Sequence, residues 1–169
     1  MNLPGKTNFY EKRMIEMHIN YSELAAQLRA LMDGVPYRVS NLANASALLW
    51  QVMPDINWAG FYHLRGDRLV LGPFQGKPAC IVIPMGHGVC GTAAQENRVV
   101  RVENVHEFPG HIACDSASNS EIVLPLRVNG TVWGVLDIDS PSFSRFREED
   151  ETGLSQIVTI LERMITETE

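Results

Sequence analysis

The segment His111-Ile112-Ala113-Cys114-Asp115-Ser116-Ala117-Ser118-Asn119-Ser120-Glu121 sets a thiol among small polar residues. Seven positions on, Glu121 puts a carboxylate at the head of an apolar run. A free cysteine usually packs as a small hydrophobe, and a loop of Asp, Ser and Asn offers it little to pack against. Reactivity therefore explains Cys114 better than packing does. Cys80 and Cys90 stand beside apolar residues, where a core role is the commoner one, and they are open to both readings. Nine residues separate Cys80 from Cys90 and twenty-three separate Cys90 from Cys114. Neither spacing is the short Cys-x-x-Cys pair of structural zinc sites, and His87 or His111 would have to complete such a site, so no metal is expected. Met85-Gly86-His87-Gly88 lacks the Lys-Ser/Thr ending of a phosphate loop.

The acids are more informative. Strand alternation in Trp133-Gly134-Val135-Leu136-Asp137-Ile138-Asp139 places Trp133, Val135, Asp137 and Asp139 on one face. Two apolar side chains share that face with two carboxylates, so it is not an ordinary solvated face. Whether Glu121 joins them depends on the hairpin. A two-residue turn at Asn129-Gly130 pairs Val128 with Thr131 and sets Glu121 against Ile138, so that the Glu121 and Asp137 carboxylates diverge. A three-residue turn with a glycine bulge sets Glu121 opposite Asp137 instead. Pro125, which cannot donate to the ladder, marks a second place where a bulge would reset the register. A shared acid site requires the odd register. Glu121, at the edge of an apolar strand and near other carboxylates, is then expected to hold its proton near neutral pH. Trp58, Phe61 and Tyr62 are core or pocket lining.

These residues need elements to position them. Tyr21 to Gly34 reads as a helix with Ser22 as N-cap, a stripe of Leu24, Leu28, Leu31 and Met32, and Gly34 as the stop. Ser40 to Met53 is a second helix, with Leu42, Ala45, Leu49 and Met53 on one face and Pro54 beyond. Trp58–Leu64 and Leu69–Leu71 form a hairpin around Arg65-Gly66-Asp67-Arg68. Cys80–Ile83 is a short strand, followed by a glycine-rich helix start, and Val99–Val102 is another strand. Residues 103–120 have no apolar periodicity, and a loop that long is usually functional. Glu121–Val128 and Thr131–Asp139 form the second hairpin. A last helix begins near Arg147, with Leu154, Ile157, Val158, Leu161 and Ile165 facing inward. The order implies an α+β domain: a central antiparallel sheet with helices packed on one face and a ligand pocket on the other.

The 169 residues are expected to form one domain, with residues 1–19 as an N-terminal extension and 20–169 as the core. Fourteen basic residues against twenty acidic ones give a net charge of −6. That balance argues against nucleic acid or an anionic membrane as partner. No apolar run serves as a signal peptide or a membrane span, so the expected compartment is the cytoplasm, where thiols stay reduced.

Taken together, Trp58-Ala59-Gly60-Phe61-Tyr62, Gly72-Pro73-Phe74-Gln75-Gly76, Gly88-Val89-Cys90-Gly91-Thr92-Ala93, His111-Ile112-Ala113-Cys114-Asp115 and Gly134-Val135-Leu136-Asp137-Ile138-Asp139-Ser140 resemble the free methionine-R-sulfoxide reductases. These are small GAF-fold enzymes. The resemblance spans nearly the whole chain, in order and with all three cysteines in place. It implies reduction of the R-sulfoxide of free methionine with no bound cofactor, the electrons coming from thioredoxin and, through thioredoxin reductase, NADPH. It also implies that Cys114 is the catalytic thiol, Cys80 the main resolving thiol and Cys90 a secondary one. Glu121, Asp137 and Asp139 correspond to substrate-binding acids, and Trp58 and Tyr62 to residues around the substrate methyl group. A homodimer is implied as well. The rival reading is a GAF module that senses a small ligand without catalysis; a phosphate ligand would be repelled by Asp137 and Asp139.

Overall fold

The computed structural model describes residues 19–112 and 116–169. Cys114, and all of the expected N-terminal extension but Ile19, lie outside the described residues. Helices α1 (Tyr21–Met32) and α2 (Arg38–Val52) come first. Strands β1 (Trp58–Arg65), β2 (Arg68–Gly76) and β3 (Val82–Pro84) follow, then α3 (Gly88–Glu96) and β4 (Val100–Val102). A 3-10 turn, Val105–Glu107, lies in the long loop, and β5 (Ser120–Val128), β6 (Thr131–Ser140) and α4 (Glu148–Glu167) follow. The six strands form one antiparallel sheet in the order β3-β2-β1-β6-β5-β4. The expected α+β class holds.

Helix α1 buries Leu24, Ala25, Leu28 and Met32, and each fully buried leucine contributes roughly 1.5–3 kcal/mol. Leu31, expected in that stripe, is 43% exposed, because it falls on the helix shoulder. The N-cap is Asn20, whose Oδ1 accepts from Glu23 N at 3.1 Å, and not Ser22, which lies inside the helix. Helix α2 begins two residues before the expected Ser40. In α4 the expected Leu154, Ile157, Val158, Leu161 and Ile165 are all buried, and four acids occupy its first turn, where the helix dipole favours negative charge.

Helices α1, α2 and α4 cover one face of the sheet in a continuous apolar core with Phe61, Ile122, Leu124, Leu136 and Ile138. The expectation that the helices lie on one face holds for these three. Helix α3 departs from it, packing Val89, Cys90, Ala93 and Ala94 against Trp58, Tyr62, Val123 and Val135 on the opposite face. Its short side chains let it lie close to the sheet while leaving a cleft at its N-terminal end. Cys80 lies in the loop before β3 and does not begin a strand.

The second hairpin closes with a two-residue turn in which Asn129 and Gly130 adopt left-handed φ of 52° and 78°, so Val128 pairs with Thr131 as a plain turn requires. The register then shifts between Arg127, which pairs with Val132, and Leu126, which pairs with Gly134. Trp133 is the surplus residue of this bulge. Beyond it Glu121 pairs with Asp139, not with Asp137 as the three-residue turn would have required. The bulge also turns Trp133 away from Val135. Trp133 packs against the three-helix core and stacks on His63 with ring centroids 4.1 Å apart, while Val135 joins the α3 side.

Candidate functional site

The shifted register assembles the acids. On the α3 face, Asp139 lies between Trp58 on β1 and Glu121 on β5, each its direct cross-strand partner. One pleat along, Asp137 lies between Gly60 and Val123. Every residue in these two rows shares one face, because directly paired residues of an antiparallel sheet point the same way. Cys90, from the first turn of α3, completes the cluster, with its Sγ donating to Glu121 Oε1 at 3.9 Å.

Trp58 and Tyr62 form the apolar wall. Their ring centroids are 5.8 Å apart and stacked, and Phe74 also stacks on Trp58 at 5.3 Å. Trp58 Nε1 donates to Lys77 O at 3.2 Å. The Trp58 ring lies over Gly60, where an added Cβ would come within 2.6 Å of the ring and 2.4 Å of Phe74 Cβ. Burial and the nearby Asp137 push the Tyr62 hydroxyl well above its ordinary pKa, so it stays protonated and donates to Cys80 O at 3.0 Å.

The cleft between α3, the sheet and the long loop is lined by Trp58, Tyr62, Cys90, Glu121, Asp137 and Asp139, with His111, Ile112 and Ser118 from the loop side. Its enclosed space is small, about 40 Å³, and widens to about 530 Å³ when the open mouth is included. Six of the expected site residues therefore meet in one cleft. Sequence alone does not single out Ser118. It is a buried serine whose Oγ accepts from Asn57 Nδ2 at 3.0 Å, and in the sequence nothing separates it from its serine neighbours. His87 Nδ1 donates to Met85 O at 3.1 Å, which satisfies the turn before α3.

Burial controls the charges. Glu121 and Asp137 are each 6% exposed. Burial, then repulsion from Asp137 and Asp139, drives the Glu121 carboxyl well above the usual carboxylate range, which favours its protonated form. Burial also raises Asp137, to about 6, against the pull of hydrogen bonds from Cys90 and Glu121. Cys90 is pushed well above the ordinary thiol value by burial and by Asp137 and Glu121, which makes it a poor nucleophile where it stands. Burial and the neighbouring His106 lower His111. Cys90 is a free thiol, whereas Cys80 is disulfide-bonded. The arrangement offers a proton donor, an anionic partner and an apolar wall around one small volume. The donor atoms of Cys90, Glu121 and Asp137 also lie within 4.8 Å of one another, close enough to share a cation.

Comparison with known proteins gives the same picture. A GAF domain profile matches residues 23–165. The free methionine-R-sulfoxide reductase of Escherichia coli (strain K12) is 58% identical over 149 residues, covering 88% of this chain and 90% of its own. The protein of that name from Saccharomyces cerevisiae is 42% identical over 164 residues, covering 86% and 91%. The solved structure of fRMsr of Staphylococcus aureus in complex with substrate matches at TM-score 0.84 and 47% identity, over 88% of this chain and 97% of that one. The free methionine-R-sulfoxide reductase of Neisseria meningitidis, in complex with its substrate, matches at TM-score 0.83 and 42% identity, over 85% and 87%.

Proposed function

The chain belongs to the free methionine-R-sulfoxide reductases, enzymes of the GAF domain family, and on that premise we propose that it reduces the R-sulfoxide of free L-methionine through its own cysteines. The observation that carries this reading is the row Trp58, Asp139, Glu121 beside Asp137 in one cleft. Free methionine sulfoxide bears an ammonium group that Asp137 and Asp139 counter-charge, whereas the nitrogen of a peptide-bound residue is a neutral amide. Trp58 and Tyr62 give its methyl group an apolar wall.

The Cys114 thiolate attacks the substrate sulfur while Glu121 delivers a proton to the sulfoxide oxygen. Oxygen passes to Cys114 as a sulfenic acid and methionine leaves. The thiol of Cys80 then attacks the Cys114 sulfur, a disulfide forms and water departs. Thioredoxin reduces that disulfide, drawing on NADPH through thioredoxin reductase, so the enzyme itself needs no bound cofactor. In support, the chain has three cysteines, of which Cys90 is free and Cys80 is disulfide-bonded. Cys90, buried and protonated, is held in reserve as a second resolving thiol. We place the enzyme in the cytoplasm as a homodimer of single-domain chains. Among the described residues no helix is long and apolar enough to cross a membrane, and Tyr37 and Val39, at the start of α2, are 67% and 69% exposed.

A single-turnover assay of the reduced protein with free methionine-R-sulfoxide tests this. Cys80→Ser should release about one methionine per site yet lose most of its thioredoxin-dependent cycling, with only Cys90 left to resolve, because the sulfenic acid forms before the disulfide. Cys114→Ser should release none. A stoichiometric burst from Cys114→Ser would move the nucleophile to another cysteine.

A further inference from the structure

We propose that Zn2+ binds in the same cleft on Cys90 Sγ, a carboxylate oxygen of Glu121 and Asp137 Oδ1, and that it excludes substrate while bound. The exclusion rests on the reading that Glu121 and Asp137 serve substrate; the binding does not. A sulfur and two carboxylate oxygens lie within 4.8 Å of one another. Around a tetrahedral zinc with bonds of about 2.3 Å to sulfur and about 2.1 Å to oxygen, the sulfur–oxygen edge is about 3.6 Å. Cys90 Sγ stands 3.9 Å from Glu121 Oε1, so a small rotation about the side-chain bonds completes the edge. The second observation is Asp137 Oδ1, which is buried in the cleft wall and, beside the hydrogen bonds that Cys90 and Glu121 give this carboxylate, has no partner of its own among the described residues. An unpartnered buried carboxylate oxygen is costly, and a cation is the partner it lacks.

The donor set also selects the ion. A thiolate is a soft ligand that suits Zn2+ and is passed over by Mg2+ and Ca2+, which take oxygen ligands in larger numbers. On binding, the thiol and the carboxyls release their protons to solvent. Three protein donors leave the fourth zinc position facing the cleft, where the sulfoxide would otherwise lie. Loss of the ion frees Asp137 for the ammonium group and Glu121 for the sulfoxide oxygen, so zinc and substrate compete for these two side chains.

The test uses the full chain with Cys80→Ser and Cys114→Ser together, which leaves Cys90 as the only thiol. Zn2+ affinity is read by competition with a chromogenic chelator. One zinc per chain should bind, and adding Asp137→Asn or Glu121→Gln should weaken it by about 10–100-fold, the scale on which zinc sites respond to loss of a supporting group. Methionine, which carries the same ammonium group, should weaken the apparent affinity. Absence of stoichiometric binding, or an affinity unchanged by both acid substitutions in chains whose circular dichroism matches the parent, would overturn the site. Binding that methionine leaves untouched would overturn the exclusion. Because no turnover is read, a protein that reduces sulfoxide but holds no zinc fails this inference alone, and one that holds zinc but reduces nothing fails only the functional reading.

Discussion

Glu121 and Asp139 stand directly opposite each other on β5 and β6, although an uninterrupted hairpin closed at Asn129-Gly130 would have set Glu121 against Ile138. The single surplus residue, Trp133, shifts every later pair by one and so turns Glu121 onto the face that carries Asp137 and Asp139. Burial raises the carboxyls of both Glu121 and Asp137, and the neighbouring acids raise Glu121 further. The fold maintains that cost in the absence of ligand, and it is the form in which the site stores its affinity for a cation.

Stability should therefore fall as pH rises across the acidic range. Asp137 titrates at about 6 in the fold against an ordinary 3.8, so between those values the folded state holds more protons than the unfolded one and loses stability with each increment of pH. Glu121, raised as well, extends the loss upward. Asp137→Asn removes one contributor, so the variant should melt higher than the parent at pH 8 and show a flatter pH dependence. Each kcal/mol gained corresponds to roughly 2–4 °C in Tm for a chain of this size. Its turnover should fall at the same time, a trade of activity for stability. Thermal unfolding at pH 5 and pH 8 checks this; a variant less stable than the parent at pH 8 would show that Asp137 carries no such cost.

Gly60→Ala tests the aromatic wall. Its Cβ would stand 2.4 Å from Phe74 Cβ and 2.6 Å from the Trp58 ring, so the Trp58 ring and Phe74 must both shift. Overpacking of this kind costs about 1–3 kcal/mol of stability. We expect KM for free methionine sulfoxide to rise while the single-turnover yield per site is kept. An unchanged KM would remove Trp58 from the binding wall.

Glu121→Gln keeps shape and removes the proton donor. Loss of a general acid lowers kcat by about 10²–10⁴-fold, and KM should move far less. Steady-state kinetics decide the matter: an intact kcat with a raised KM would make Glu121 a binding residue and leave the proton to another source.

Periodicity was enough to read the helices, because Leu154, Ile157, Val158, Leu161 and Ile165 fall on one face whatever surrounds them. The facing of Asp137 and Asp139 followed equally directly from alternation two residues apart. Alternation places Trp133 on the wrong face because it cannot be counted through a bulge, and nothing in Val132-Trp133-Gly134 states which residue is surplus. The partner of Glu121 was missed for the same reason. Cys80 looked like the start of a strand because Ile81, Val82 and Ile83 follow it, yet only Val82–Pro84 pairs with β2. Helix α3 shows no large apolar stripe that would assign it to a face. Its place on the cleft side depends on small residues meeting the sheet, which is a tertiary fact. Ser118 and Asn57 meet across 61 positions, a contact no local pattern encodes.

The most direct measurement compares kcat/KM for free and N-acetylated methionine-R-sulfoxide with the reduced enzyme. Acetylation removes the ammonium group and leaves Asp137 and Asp139 without their partner, a loss of about 1.5–3 kcal/mol. The account predicts that the acetylated compound falls behind by roughly 10–150-fold, as that energy requires. Equal values for the two compounds would contradict it, since Asp137 and Asp139 would then have no part in choosing the substrate.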